Sequence, residues 1–252
     1  MGLTERIGGP LTRAGWGFAD LILPHQCVLC RRFAETTGLC ATCWNGLAPI
    51  AAPICARCGL PLGHTLADPL CAACWAKPPK LAAIRGCFHY GGSARDLVLA
   101  FKHGDGLQLT PFLTGLMTRL FLSLAQDDPL VVPVPLHRRR YYRRRYNQAA
   151  ELARHLCAAT GRGQFAPQLL VRRRATRSQG GLNRQQRKRN VAGAFAVPPA
   201  AITPLQGRPV LLVDDVMTTG ATLAEAAKRL QAAGSGAVSA LVLARVTRPH
   251  EA

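Results

Sequence analysis

The sequence predicts an α/β protein, a mostly parallel sheet flanked by helices, preceded by a small cysteine-rich module. Two observations carry the prediction. Short runs of Val, Ile and Leu alternate with helix-length amphipathic stretches from about residue 84 onward, as in a parallel sheet wound with helices. Eight of the ten cysteines, by contrast, fall between Cys27 and Cys74, ahead of that alternation. A chain of 252 residues has room for one sizeable domain and one small one, and 48% hydrophobic residues argue for a folded chain.

Residues 1–24 read as an N-terminal arm with a short amphipathic segment around Trp16, Phe18, Leu21 and Ile22. The apolar stretch from Phe18 to Pro24 is too short for a membrane span or a signal core, and it contains Asp20. A cytoplasmic protein is expected. In that reducing compartment C-x-x-C pairs bind metal or do redox work.

Residues 25–76 hold four such pairs, Cys27/Cys30, Cys40/Cys43, Cys55/Cys58 and Cys71/Cys74. Each is a knuckle able to present two thiolates, and two knuckles complete a tetrahedral Cys₄ zinc site. Two structural zinc ions are expected, paired sequentially or interleaved, since the spacing fits both. A thioredoxin-like redox role needs a βαβ context that is missing here. Cys87 and Cys157 stand apart and read as small buried hydrophobes, and His25 and His64 as non-ligands.

Lys77-Pro78-Pro79-Lys80 is a linker. Beyond it, residues 84–248 form the second domain: a strand over 84–90, helices over 95–102 and 109–124, and a strand over 130–134. A helix over 147–160 follows, then strands over 210–215 and 237–244 around a helix over 222–233, with Thr222 as its N-cap and Gly234 as its end. Two basic runs interrupt this order. Residues 138–145 carry six arginines, with Tyr141 and Tyr142 among them and Tyr146 adjoining. A second run over 172–189 brackets Ser178-Gln179-Gly180-Gly181-Leu182-Asn183, which reads as a mobile loop. The two runs hold 14 of the 32 lysines and arginines in a chain of formal charge +19, a balance that calls for an anionic partner. Loops 133–140, 172–189 and 214–222 are all expected at carboxyl ends of strands, where such sheets bind ligands.

The most informative stretch is Val210-Leu211-Leu212-Val213-Asp214-Asp215-Val216-Met217-Thr218-Thr219-Gly220-Ala221-Thr222. A buried strand runs into two carboxylates and a Thr-Thr-Gly turn at a helix N-terminus. Unpaired N–H groups and the threonine hydroxyls make a phosphate cradle there. The acids suit sugar hydroxyls or Mg²⁺ beside it. A Walker B strand is the main competitor, but the chain has no G-x-x-x-x-G-K-[ST].

These thirteen residues resemble the signature of type I phosphoribosyltransferases, which bind 5-phosphoribosyl 1-pyrophosphate (PRPP). The resemblance implies that Asp214 and Asp215 face the ribose hydroxyls and Mg²⁺. It places Thr218, Thr219, Gly220, Ala221 and Thr222 around the 5′-phosphate. The loop after Val132–Val134, with Leu136 and His137, would meet pyrophosphate, and Lys102 would add a PRPP contact. The 172–190 loop would be a closing flap, with Arg177 and Arg187 joining the aspartates in catalysis.

The chain as a whole resembles the ComF family of competence-associated, phosphoribosyltransferase-like proteins. The likeness rests on the knuckles ahead of Phe101-Lys102, on Pro133-Val134-Pro135-Leu136, on Arg145-Tyr146-Asn147-Gln148-Ala149, and on Arg177 and Gln179 leading to Arg187, Arg189-Asn190-Val191 and Phe195. Two functions follow from it as expectations: Mg²⁺-dependent phosphoribosyl transfer to an unidentified acceptor, linked to DNA uptake, or single-stranded DNA binding regulated by PRPP or a nucleotide. Both admit DNA at the arginine runs and other competence proteins as partners.

Overall fold

The computed structural model describes residues 25–64, 67–102, 106–138, 141–142, 145–176 and 181–247, with Arg184 as backbone alone. The N-terminal arm, Arg139, Arg140, Arg143, Arg144, Arg177 and Gln179 lie outside these. The chain divides into two compact units, residues 1–46 and 47–252.

The first unit is a metal knuckle followed by helix α1 (Ala41–Asn45), with Cys40 as N-cap. The second unit opens on another of the same design, ending in helix α2 (Ala72–Ala76) with Cys71 as N-cap. The correspondence reaches the backbone. Arg31 N donates to Cys27 O and Gly59 N to Cys55 O, both at 2.9 Å, while Cys27 N reaches Arg32 O and Cys55 N reaches Leu60 O. The turn needs a left-handed residue, supplied by Arg31 at φ 62° and by Gly59 at φ 67°. Glycine is required at the second turn, where a Cβ would stand 2.3 Å from Ile84 O.

The rest of the second unit is a five-stranded sheet. Its strands are β1 (Ile84–His89), β2 (Leu130–Pro133), β3 (Gln164–Phe165), β6 (Val210–Met217) and β7 (Val238–Arg245), in the order β1-β7-β6-β2-β3. All its pairings are parallel. Strands β4 (Val171–Arg172) and β5 (Phe195–Ala196) pair separately as an antiparallel ladder.

Helices α3 (Gly92–Lys102) and α4 (Thr110–Leu124) connect β1 to β2, and α5 (Gln148–Thr160) connects β2 to β3. Helix α6 (Arg184–Val191) lies between β4 and β5, α7 (Ile202–Leu205) precedes β6, and α8 (Ala221–Ala232) joins β6 to β7. Alternation along β6 assigns the two faces of the sheet. Val210 and Leu212 pack with Leu223, Ala226, Ala227 and Leu230 of α8. Helices α4 and α5, with Leu113, Met117, Phe121, Leu152 and Leu156 fully buried, pack against each other and on β7, β2 and β6. Each buried leucine contributes about 2 kcal/mol by leaving water.

Four expectations change. Strand β6 continues through both aspartates to Met217, because its pairing with β7 persists to Met217–Arg245. Gly220, at φ 73°, takes the N-cap of α8, and Thr222 is the second residue inside the helix. A left-handed cap suits glycine and not a β-branched threonine. The 172–189 loop is not irregular throughout, since Asn183 and Gln186 form a reciprocal capping box that starts α6. It also leaves the small β4–β5 ladder and not the parallel sheet.

Candidate functional site

The site is built where β6 ends. Consecutive side chains on a strand point to opposite faces, so Asp214 and Asp215 meet different neighbours. Lys102, the last residue of α3, places Nζ 3.0 Å from Asp215 Oδ2. The Asp215 N–H donates to Asp214 Oδ1 at 2.9 Å. Burial pushes the Asp214 carboxyl up, to about 8, and the Asp215 charge adds to this. The Asp215 N–H, Lys102 and Arg172 oppose it. Asp214 is thus a carboxyl removed from water beside the charge of Asp215, an arrangement that suits a cation as a further partner.

Thr218, Thr219 and Gly220 form the turn, and Ala221 and Thr222 open the twelve-residue α8. Gly220 O accepts from Ala224 N, the first bond of the helix. The Thr219 Oγ1 is buried and has no hydrogen-bond partner among the described residues. A buried hydroxyl beside a helix N-terminus is a vacant donor of the kind a phosphate satisfies.

Strand β2 ends beside β6: Pro133 pairs with Val213, and Val134 N donates to Val213 O at 2.9 Å. The chain bearing Leu136 and His137, both half-buried, therefore leaves the sheet next to the aspartates. Asn147 Nδ2 bonds Val134 O at 3.1 Å and its Oδ1 accepts from Ala149 N, capping α5 against this loop. Tyr146 is core: its hydroxyl donates to Phe101 O at 2.6 Å. Tyr141 and Tyr142 are exposed.

Of the two flap arginines, Arg177 lies outside the described residues, and Arg187 is half-buried on α6, which packs against α8. Arg174 donates to Asn190 O and Ala192 O, closing the end of α6. A residue with no assigned role in the sequence reading, Arg172, has its charge felt at Asp214, stacks over the Phe195 ring at 5.2 Å and donates to Thr176 Oγ1. Nothing in its arginine run distinguished it from Arg173 or Arg174.

The thiolates settle into two sequential sets, Cys27/Cys30/Cys40/Cys43 and Cys55/Cys58/Cys71/Cys74, each with its Sγ atoms within 4.8 Å of one another. Burial works against ionisation of Cys27 and Cys55, but neighbouring groups pull both thiols down to about 6. Those groups are the N–H groups of Leu29, Cys30 and Cys40 for Cys27, and of Arg57, Cys58 and Cys71 for Cys55. Burial and the other thiols push Cys43 up to about 12 and Cys74 higher. Four thiolates this close need a cation among them, and four soft ligands in a closed set fit tetrahedral zinc. The interleaved pairing is excluded.

An α/β protein with an acid pair and a helix N-terminus at one end of its parallel sheet, preceded in the chain by two Cys₄ sets, is the class these features define. A double zinc ribbon domain model matches residues 18–75, so the sets are structural zinc sites. The DNA utilization protein YhgH of Salmonella typhi is 32% identical over 232 residues, 89% of this chain and 99% of that protein, and its Escherichia coli (strain K12) counterpart matches equally. Competence protein F of Haemophilus influenzae is 30% identical over 230 residues, 87% of this chain and 96% of that protein. The chain belongs to the ComF family. In structure it is similar to a phosphoribosyltransferase from Corynebacterium diphtheriae, at 22% identity and a TM-score of 0.31, over 60% of this chain and 71% of that one. Among the described residues no helix is long and apolar enough to cross a membrane.

Proposed function

We propose that the end of β6 binds PRPP with Mg²⁺ and that the protein transfers the phosphoribosyl group to an acceptor, in the service of DNA uptake. The observation that carries this reading is the buried Thr219 hydroxyl, without a hydrogen-bond partner among the described residues, just before α8 and after the Asp214–Asp215 pair. In this reading Thr218 to Thr222 hold the 5′-phosphate. Asp214 and Asp215 orient the ribose hydroxyls and hold the metal, which when bound neutralises charge on the pyrophosphate.

Transfer breaks the bond between the anomeric carbon and the pyrophosphate oxygen, which leaves with the electron pair. The acceptor nucleophile bonds to the same carbon and gives up its proton. Lys102, Leu136 and His137 flank the pyrophosphate, and Arg177 and Arg187 close over it, stabilising the developing charge while excluding water. The link to DNA uptake is supported by the names of the relatives, one a DNA utilization protein and one a competence protein.

Calorimetry of the full chain with PRPP, with and without Mg²⁺, tests the assignment. Binding is expected to need Mg²⁺ and to vanish in the Asp214→Asn/Asp215→Asn double variant. Equal affinity in that variant would sink it.

A second reading, single-stranded DNA binding with PRPP or a nucleotide as regulator, is favoured by the exposure of Tyr141 and Tyr142 next to Arg138, also exposed. Aromatic rings among arginines suit base stacking with phosphate contacts. Other competence proteins are natural partners in either case.

A further inference from the structure

A divalent cation held by four thiolates leaves two negative charges uncompensated. At the second set, two arginines from the sheet meet that excess. Arg245, the last residue of β7, is buried and donates from its guanidinium to Cys58 O, which brings its charge to the second set. Arg85, on β1, donates to Ala56 O at 3.0 Å and Ile84 O at 2.9 Å. The thiolate charges of Cys55 and Cys58 favour its cation against the cost of burial.

The backbone is joined at the same place. Ile84 N donates to Arg57 O at 2.8 Å, and Gly59 packs against Ile84 O too closely to admit a side chain. The first set, Cys27/Cys30/Cys40/Cys43, belongs to the other compact unit, residues 1–46.

We infer that Arg85 and Arg245 are positioning residues for the second metal site, compensating its excess negative charge and tying it to the parallel sheet, so that the two metal sites of this chain are unequal. The knuckles share one backbone design, and the difference lies in what surrounds the thiolates. Arg245 also stands next to the ligand end of the sheet. Its carbonyl accepts from Tyr90 N, and the following residue, Val246, donates to Met217 O, the last position of β6. The second metal is therefore built into the strand ends, whereas the first belongs to a separate unit.

Zinc release from the loaded full-length protein, followed with a chromogenic chelator, tests this independently of any PRPP activity. Two phases are expected, with Cys27→Ser removing the faster one. Arg245→Met should speed the slower phase by about 10- to 100-fold, the usual effect of losing a group that supports a metal ligand. It should leave the faster phase unchanged, and Arg245→Lys should restore most of the wild-type rate. Arg85→Met provides a second variant with the same expected selectivity should Arg245→Met fold poorly. Unaltered release in both Met variants would overturn the inference. So would equal acceleration of both phases, which would mark a general loss of stability, or failure of lysine to rescue.

Discussion

Lys102→Met removes the cation nearest the acid pair. The Lys102 and Asp215 side chains are only 19% and 13% exposed, with 3.0 Å between the charged atoms, so water screens them little. Breaking a fully buried pair by deleting one partner costs about 3–5 kcal/mol. Residual exposure, together with the nearby charge of Arg172, brings the expected loss to about 2 kcal/mol. For a chain of this size that is a fall in Tm of roughly 4–8 °C, readable by calorimetry at neutral pH. The variant leaves Asp215 without its ammonium, and Mg²⁺ should then stabilise it more than wild type. At ten dissociation constants the ion would return about 1.4 kcal/mol. Lys102→Arg, which keeps the charge, should lose less stability and respond less to Mg²⁺. An identical Mg²⁺ response in wild type and Lys102→Met would refute the reasoning, since it would mean that the metal does not meet the acids that Lys102 meets.

Gly220→Ala should cost about 1–2 kcal/mol, the penalty of a left-handed alanine, because its Cβ would be 3.6 Å from Met217 Sδ, an ordinary contact. Thermal unfolding measures this, and PRPP affinity should fall as the cradle turn shifts. Burial pushes Cys87 up to about 12 and, with the Asp128 charge, Cys157 up to about 11. Thiolate being the reactive form, both should resist iodoacetamide at pH 8 in the zinc-loaded protein. Cys157 should label faster as pH rises toward 11, and chelation should expose the other eight in two groups of four, one with each phase of zinc release. Replacing Arg138, Arg139 and Arg140 together by alanine should lower the salt slope of single-stranded DNA binding by about 2 if each contacts a phosphate. An unchanged slope would remove this run from any DNA track.

The strands and long helices were legible because burial on both faces, or on one stripe, leaves a direct mark on residue choice. Val210 to Val213 could scarcely be anything but an interior strand, and they are all buried. The cap of α8 was misplaced by two residues because Thr222 is a good capping residue in isolation, while the geometry that decided the matter was the left-handed turn at Gly220. Helix α6 carried its own signature in Asn183 and Gln186, hidden among arginines that read as a solvated loop. The spacing of the knuckles could not choose a pairing, since the longer loops of the interleaved arrangement cost only a little more entropy to close, and chain folding chose it. Arg172 and Arg245 were invisible for a different reason. Each acts on a partner far along the chain, Asp214 and Cys58, and nothing local to an arginine records a long-range neighbour.

These long-range pairs give the strong positive charge of the chain a specific use. With only 13 acidic residues against 32 basic ones, a half-buried acid pair is an exception that the fold has to support. It does so from two directions, with Lys102 arriving from the helix after β1 and Arg172 from the β4–β5 ladder. Neither arginine run supplies a carboxylate of its own, and an anionic ligand at the end of β6 meets Asp214 and Asp215 as local repulsion. On the proposed function, a divalent cation arriving with a pyrophosphate would remove that repulsion and complete the pair. The same arrangement disfavours a bare polyanion at the acid pair. DNA held by the arginines should therefore keep its phosphates away from Asp214, and saturating PRPP with Mg²⁺ should change DNA affinity only where the two ligands share the 133–140 loop.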